Sequence, residues 1–453
     1  DGLTRAARAR MPSPFDTPNE VLKDLYVEHP DVSAMSDDEA RGWRRDERVR
    51  VSGSGRVPKP VRSFIEAALP EFLTTELEGS GFPRPTPIQS QSWPIALSGH
   101  DLIGLASTGS GKTLCFALPA IVHINAQDHL QAGDGPIALM LAPTRELALQ
   151  IKGECDRFGK ASRVKNTAVY GGVPKGPQLR DLQHGVEICI ATPGRLLDFM
   201  DAAQTNLRRC TFLVLDEADR MLDLGFEPQL RSIIEQTDAS KRQTLMWSAT
   251  WPKEVASLAS TFLVDPLMVT VNNATDLRAS ETIDQRFEVC DEDQKHSRAV
   301  GVLQSLNDGR SKVIVFCEKK RGCEALNKDL RRRGFVCETI HGDKSQQERD
   351  WALQQFKQGG ANVLIATDVA GRGLDVKDVR AVVNYDAPSQ AEDYVHRIGR
   401  AGRAGASGLA FTLLTPSNVL FAKELVAMLH KAGTPVPADL QRLSRAHSRR
   451  ALA

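Results

Sequence analysis

The feature that most constrains this chain is a repeated unit: a short apolar run, a polar motif, then a helical pattern. In the first half the runs are "IALMLAP" (137–143), "VEICIATP" (186–193), "FLVLDEAD" (212–219) and "QTLMWSAT" (243–250). A strand that is apolar throughout is covered on both faces, and strands alternating with helices give βαβ units and a parallel sheet. The pattern resumes with runs at 312–318, 336–342, 361–368, 379–386 and 408–414. Between the two sets, 271–284 is polar and aperiodic. The expected fold is therefore α/β with two successive domains, 61–272 and 285–432, each a mostly parallel sheet flanked by helices and joined by a linker at 273–284. Residues 1–60 read as a polar amino-terminal extension with one or two short helices and a Gly/Pro-rich connector. Residues 433–453 read as a basic, loosely ordered tail.

Composition narrows the partners. The 453 residues carry 58 Lys and Arg against 57 Asp and Glu, so any nucleic-acid site is a local patch and not a global field. Eight cysteines form no CxxC pair, which suits neither zinc nor a disulfide framework and points to a reducing compartment. Cys189 and Cys317 lie inside apolar runs and read as small buried hydrophobes. No apolar run approaches the ~18 residues of a membrane span.

Chemistry enters with "LIGLASTGSGKT", a strand followed by a Gly-rich turn and a helix. Ala106–Thr113 is a P-loop with Ala106 in place of the first glycine. Gly109 and Gly111 let backbone N–H groups, with Ser107, Thr108 and Ser110, converge on phosphate oxygens at a helix N-terminus. Lys112 would reach the β- and γ-phosphates, and the Thr113 hydroxyl would bind Mg²⁺. The bland alternative is a flexible Gly/Ser loop before a helix. In "FLVLDEADRML" an apolar strand ends in three mutually repelling acids, Asp216, Glu217 and Asp219. Alone this also fits a solvated turn. Beside a P-loop it is a Walker B element, with Asp216 holding Mg²⁺ through water and Glu217 polarising the attacking water.

Taken together, "DEAD" (216–219), "SAT" (248–250), "HRIGRAGR" (396–403), "PTRELALQ" (143–150), "GG" (171–172), "TPGR" (192–195), "ATDVAGRGLDV" (366–376) and "GFPRPTPIQ" (81–89) resemble a DEAD-box RNA helicase of superfamily 2 in order and spacing, from residue 64 to about 430. The resemblance implies two tandem RecA-like domains, ATP as substrate, Mg²⁺ and an RNA partner, in a monomer. It implies that Gln89 reads the adenine edge, that Phe64 stacks on the ring, that Arg84 lies in the same nucleotide-binding motif, and that Asp375 contacts the ribose. Arg400 and Arg403 would be arginine fingers from the second domain; a solvated basic face is the alternative for them. His396 and Arg397 would tie that segment to the DEAD and SAT motifs. Ser248 and Thr250 would bridge Asp219 to the second domain.

For RNA, "APTREL" and "ATPGRL" each start a helix at a strand end. In the second, Thr192 can cap and Pro193 suits the first helical position. Exposed N–H groups there, with Gly194 and Arg195, suit a backbone phosphate. Pro143, Thr144 and Arg145 give a similar site, and Gly171 and Gly172 allow a strand to approach closely. His341, Gly342, Thr367 and Arg372 would complete the track from the second domain. Singly, each also reads as an ordinary helix cap. Gly371 departs from the commoner Ala or Ser beside Arg372, and Ala401 from a frequent Thr. The flank 25–64 resembles a subgroup acting on nuclear transcripts and ribosomal precursors, which implies a nuclear or nucleocytoplasmic location. An RNA-stimulated ATPase separating short duplexes is the leading reading. The alternatives are an ATP-gated RNA clamp used as an assembly platform, and another kind of P-loop enzyme such as a kinase or DNA translocase.

Overall fold

A computed structural model describes residues 21–107, 109–271, 283–368, 376, 378–402 and 407–446. The chain divides into two compact units between residues 272 and 273. The first unit is built on β1 (Val49–Ser52), β2 (Leu102–Leu105), β3 (Ala138–Leu141), β4 (Asn166–Val169), β5 (Ile188–Ala191), β6 (Phe212–Leu215), β7 (Gln243–Ser248) and β8 (Leu267–Val271), in the order β1-β8-β2-β7-β6-β3-β5-β4. All pairings are parallel except β1 with β8. Every residue of β2, β3, β5, β6 and β7 is buried, which is why these strands read as unbroken apolar runs. Packing is tightest where Gly104 of β2 meets Trp247 of β7: a Cβ at 104 would sit 2.1 Å from the indole ring.

The second unit has β9 (Ile283–Val289), β10 (Lys312–Phe316), β11 (Cys337–Ile340), β12 (Val363–Ala366), β13 (Val379–Asn384) and β14 (Gly408–Leu414), ordered β11-β12-β10-β13-β14-β9 and parallel throughout. All eight cysteines are free and buried. Among the described residues, no helix is long and apolar enough to cross a membrane.

Three boundaries differ from expectation. The amino-terminal extension holds the two short helices, Pro30–Ala34 and Asp37–Asp46, but it is not merely an extension. Its connector forms β1, and Val32 and Val49 join the first unit's core. The second sheet starts at Ile283, inside the expected linker, as an edge strand. The expected loose tail contains a helix, Ala438–Arg445, that buries Leu440 and Leu443 against the second core. The reason is common to all three. An edge strand or surface helix buries one face only, so polar residues interrupt the apolar signal.

Candidate nucleotide and nucleic-acid site

In the first unit the expected motifs fall at the carboxyl ends of the strands, where open parallel sheets bind ligands. Their order separates them into two groups. The P-loop, SAT and DEAD segments follow β2, β7 and β6, which are adjacent. The PTRE, TPGR and GG segments follow β3, β5 and β4, also adjacent.

The nucleotide half is built around the P-loop. Gly109 and Gly111 take φ of 80° and 89°, conformations that favour glycine, and Lys112 begins the helix Lys112–Asn125. The buried Lys112 ammonium donates to Ala106 O at 2.8 Å, across the mouth of the loop. Gln89 lies in the first turn of the helix Pro87–Leu97, which starts at Thr86 with proline at its first position. The Gln89 amide accepts from Thr86 N at 3.0 Å and donates to Gly111 O at 3.0 Å, joining the Q motif to the P-loop. Ser107 is exposed, while Ser110 and Thr113 are half-buried. Phe64 is 6% exposed and packs against Trp93 at 6.3 Å between ring centres, so it serves the core whatever else it touches. Arg84 stands at the surface, paired with Glu47 at 3.1 Å.

Asp216 follows β6, and its backbone N–H donates to Leu141 O at 2.9 Å. Burial pushes its carboxyl up to about 7; the Lys112 ammonium pulls the other way and Glu217 adds to the rise. Glu217 sits at φ 52°, ψ 54°, in the left-handed region, where a non-glycine residue costs about 1–3 kcal/mol and is characteristic of functional sites. Asp219 Oδ2 accepts from Thr250 N (3.0 Å), Thr250 Oγ1 (2.8 Å) and Ala249 N (3.2 Å). The DEAD and SAT segments are thus fastened to each other inside the first unit. The Ser248 hydroxyl is fully buried and has no hydrogen-bond partner among the described residues. Carboxylate and hydroxyl oxygens at Asp216 and Thr113 are the hard donors that suit Mg²⁺, and a buried acid with a raised pKa is one that a divalent cation would neutralise.

The other half gathers three loops. Thr144 caps the helix Arg145–Gly159, its hydroxyl accepting from Leu147 N at 3.3 Å behind the buried Pro143. The Arg145 guanidinium lies 4.7 Å from the centre of the Tyr170 ring. Gly171 and Gly172 follow, exposed, with Gly172 at φ 80°. Gln178, which sequence reasoning missed, organises this loop: its amide accepts from Tyr170 N at 3.2 Å and donates to Tyr170 O at 3.1 Å, replacing a strand partner. No local signal marks it, because its partner is a loop on another element. One expectation needs correction here. Thr192 occupies the N-cap of the helix Pro193–Asp201, but its side chain makes no capping bond. The Arg195 guanidinium donates to Val173 O (3.1 Å) and Gln178 Oε1 (3.4 Å), which joins this helix to the GG loop. Gly194 is exposed in the first turn of that helix.

In the second unit, His341 is buried beyond β11, with Nε2 2.8 Å from Glu324 Oε1; Lys344 and Thr339 reach the same oxygen. Burial raises the Glu324 pKa, but these three contacts outweigh it and bring the carboxyl down to about 2. Gly342 is exposed beside the Lys320 side chain, and Thr367 is buried at the end of β12. Within the second unit, the buried Arg397 guanidinium grips Asp368 with two bonds of 2.6 Å, Asp386 O at 2.6 Å and Asn384 Oδ1 at 3.2 Å. His396 and Arg400 are also buried, with Arg400 Nε donating to His396 O at 3.3 Å. Thr108, Gly371, Arg372, Asp375 and Arg403 lie outside the described residues.

A P-loop, a Walker B carboxylate and a parallel sheet define a RecA-like P-loop nucleotide hydrolase carrying a second sheet of related plan. The chain matches the DEAD/DEAH box helicase family over residues 86–258 and the helicase conserved C-terminal domain over 295–405. It is 55% identical over 424 residues to the ATP-dependent RNA helicase DBP2 of Candida albicans, spanning 93% of this chain and 75% of that protein. It is 54% identical to the DEAD-box ATP-dependent RNA helicase 20 of Arabidopsis thaliana, spanning 93% and 84%. Among solved structures, S. cerevisiae Dbp5 bound to RNA and ADP BeF3 is similar at a TM-score of 0.71 and 27% identity, spanning 84% of this chain and 98% of that one. The chain belongs to the DEAD-box ATP-dependent RNA helicases, and it is an enzyme.

Proposed function

We propose that this helicase hydrolyses ATP at a site completed by both units and uses the cycle to separate short RNA duplexes locally, without processive translocation. The observation that carries the reading is the strand order of the first unit, which places P-loop, SAT and DEAD side by side and sets the three RNA-type loops directly alongside.

ATP phosphates would take the Lys112 ammonium from Ala106 O, while Gln89, in the first turn of its helix, presents the adenine edge site. Asp216 and Thr113 would hold Mg²⁺, which when bound would supply charge neutralisation to the phosphates. Glu217, set in its strained backbone conformation, orients and polarises the attacking water. Arg400 and Arg403 supply cationic charge for the γ-phosphate from the second unit, so turnover requires the units to come together. The Asp219–Thr250 linkage makes the DEAD and SAT segments move as one piece. The loops after β3, β5 and β4, with His341, Gly342, Thr367 and Arg372, hold the backbone of one RNA strand without reading sequence.

Steady-state ATP hydrolysis tests this, with single-stranded RNA, matched DNA or neither, in Mg²⁺ or EDTA, and with Glu217→Gln as control. Strong stimulation by RNA only, and loss of turnover in EDTA and in the control, are expected. Equal rates with and without RNA would overturn the coupling of the two halves.

A further inference from the structure

The segment ahead of the Q motif is built to hold that motif in place. Ser36 and Glu39 form a reciprocal capping box, starting the helix Asp37–Asp46 at a defined residue. Its last turn carries Arg44 inward. Arg44 Nε donates to Gln91 Oε1 at 2.8 Å and Nη2 to Pro58 O at 3.0 Å. The Gln91 amide nitrogen donates to the same Pro58 carbonyl at 2.9 Å, and Gln91 is wholly buried. Val61 N donates to Ser90 O at 3.0 Å, and Glu47, one residue past the helix, pairs with Arg84.

The Gln91 tie acts on the helix Pro87–Leu97 from the face opposite Gln89, since residues two apart on a helix are separated by about 200°, and the Ser90 tie holds the backbone between them. On the other face, the Gln89 amide is held at both ends, to Thr86 N and Gly111 O, each at 3.0 Å. A shift of this helix by a few tenths of an ångström therefore reaches the phosphate loop.

We infer that Arg44, acting through Gln91, is a positioning residue of the adenine pocket, and that the amino-terminal segment thereby sets ATP affinity and the preference for adenine over guanine. This rests on the reading of Gln89 as the residue that recognises adenine. Removing Arg44 leaves the Gln91 carbonyl buried without its donor, and the helix relaxes to satisfy it.

The test uses the full chain. Arg44→Met, Arg44→Lys and Gln89→Ala are compared with the parent for KM with ATP and GTP, for kcat at saturating ATP and RNA, and for melting temperature. Arg44→Met is expected to raise KM for ATP about three- to tenfold, the scale of one net hydrogen bond, and to narrow the ATP-to-GTP ratio while leaving kcat at saturation. Arg44→Lys keeps the charge but not the fork, and should fall between. A lowered melting temperature in either Arg44 variant, with KM and the nucleotide ratio unmoved, would overturn the inference and leave a plain structural brace. An unchanged ATP-to-GTP ratio in Gln89→Ala would instead show that the adenine reading itself is wrong, and the inference would fall with it.

Discussion

Arg397 offers the sharpest test of the distinction between motif and place. The resemblance implies a residue that ties its segment to the DEAD and SAT motifs, and within its own unit the structure makes it a clamp. Its guanidinium joins Asp368 beyond β12 to Asn384 and Asp386 at the end of β13, and lies 5.2 Å from the centre of the Phe316 ring on β10. Asn384 in turn donates to Thr412 Oγ1 of β14 at 2.9 Å. The carboxyl ends of neighbouring strands are thus pinned at one point. Arg397→Met would leave the Asp368 carboxylate, about a quarter exposed, without its partner; breaking such a pair costs about 3–5 kcal/mol. Arg397→Lys keeps the charge but cannot make the two-pronged grip, and should cost about 2 kcal/mol. For a unit of this size that lysine variant lowers the melting temperature by about 4–8 °C. Thermal melts of the whole chain, with hydrogen exchange read at the amides of β12 and β13, measure both. Unchanged melting and exchange alongside a loss of RNA-stimulated turnover would refute the clamp and return the residue to the coupling role.

Further outcomes follow from the same geometry. Asp219→Asn puts an amide where one carboxylate oxygen accepts three donors, and should cost about 2–3 kcal/mol in chemical denaturation and depress RNA-stimulated turnover. His123 is buried, with Nε2 2.9 Å from Thr211 Oγ1, and burial lowers its pKa to about 4. The native state thus favours its neutral form, so stability is full above the unfolded value near 6.5 and falls as pH drops to 4, by about 3 kcal/mol in total. Urea titrations across that range should show this slope, and His123→Gln should flatten it. Gly104→Ala drives a methyl into the Trp247 ring and should destabilise by about 1–3 kcal/mol or more, seen as a lower melting temperature.

What could be read in advance follows the physics of burial. β3, β5, β6 and β7 sit inside the sheet with both faces covered, so each left an unmistakable apolar run. β1 and β9 are edge strands burying one face, and their polar alternation looked like connector and linker. The P-loop and the DEAD acids were legible because their chemistry demands residue types at fixed local spacing. The Gln178 bracket on Tyr170, the bond of Arg195 to Val173 O and the grip of Arg397 on Asp368 were not, because each joins segments brought together only by folding.

The strand order of the first unit has a consequence for how such a protein can be altered. β3, β4 and β5, with the loops assigned to RNA, are consecutive in the chain, and they occupy one end of the sheet. The strands bearing the nucleotide motifs flank that stretch in sequence and meet it along one ladder, β3 with β6. A single continuous cassette, from about Ile137 to Asp201, therefore carries the surface assigned to nucleic acid in this unit, and exchange at two crossover points could give the unit a new grip while leaving its phosphate loop and acids untouched.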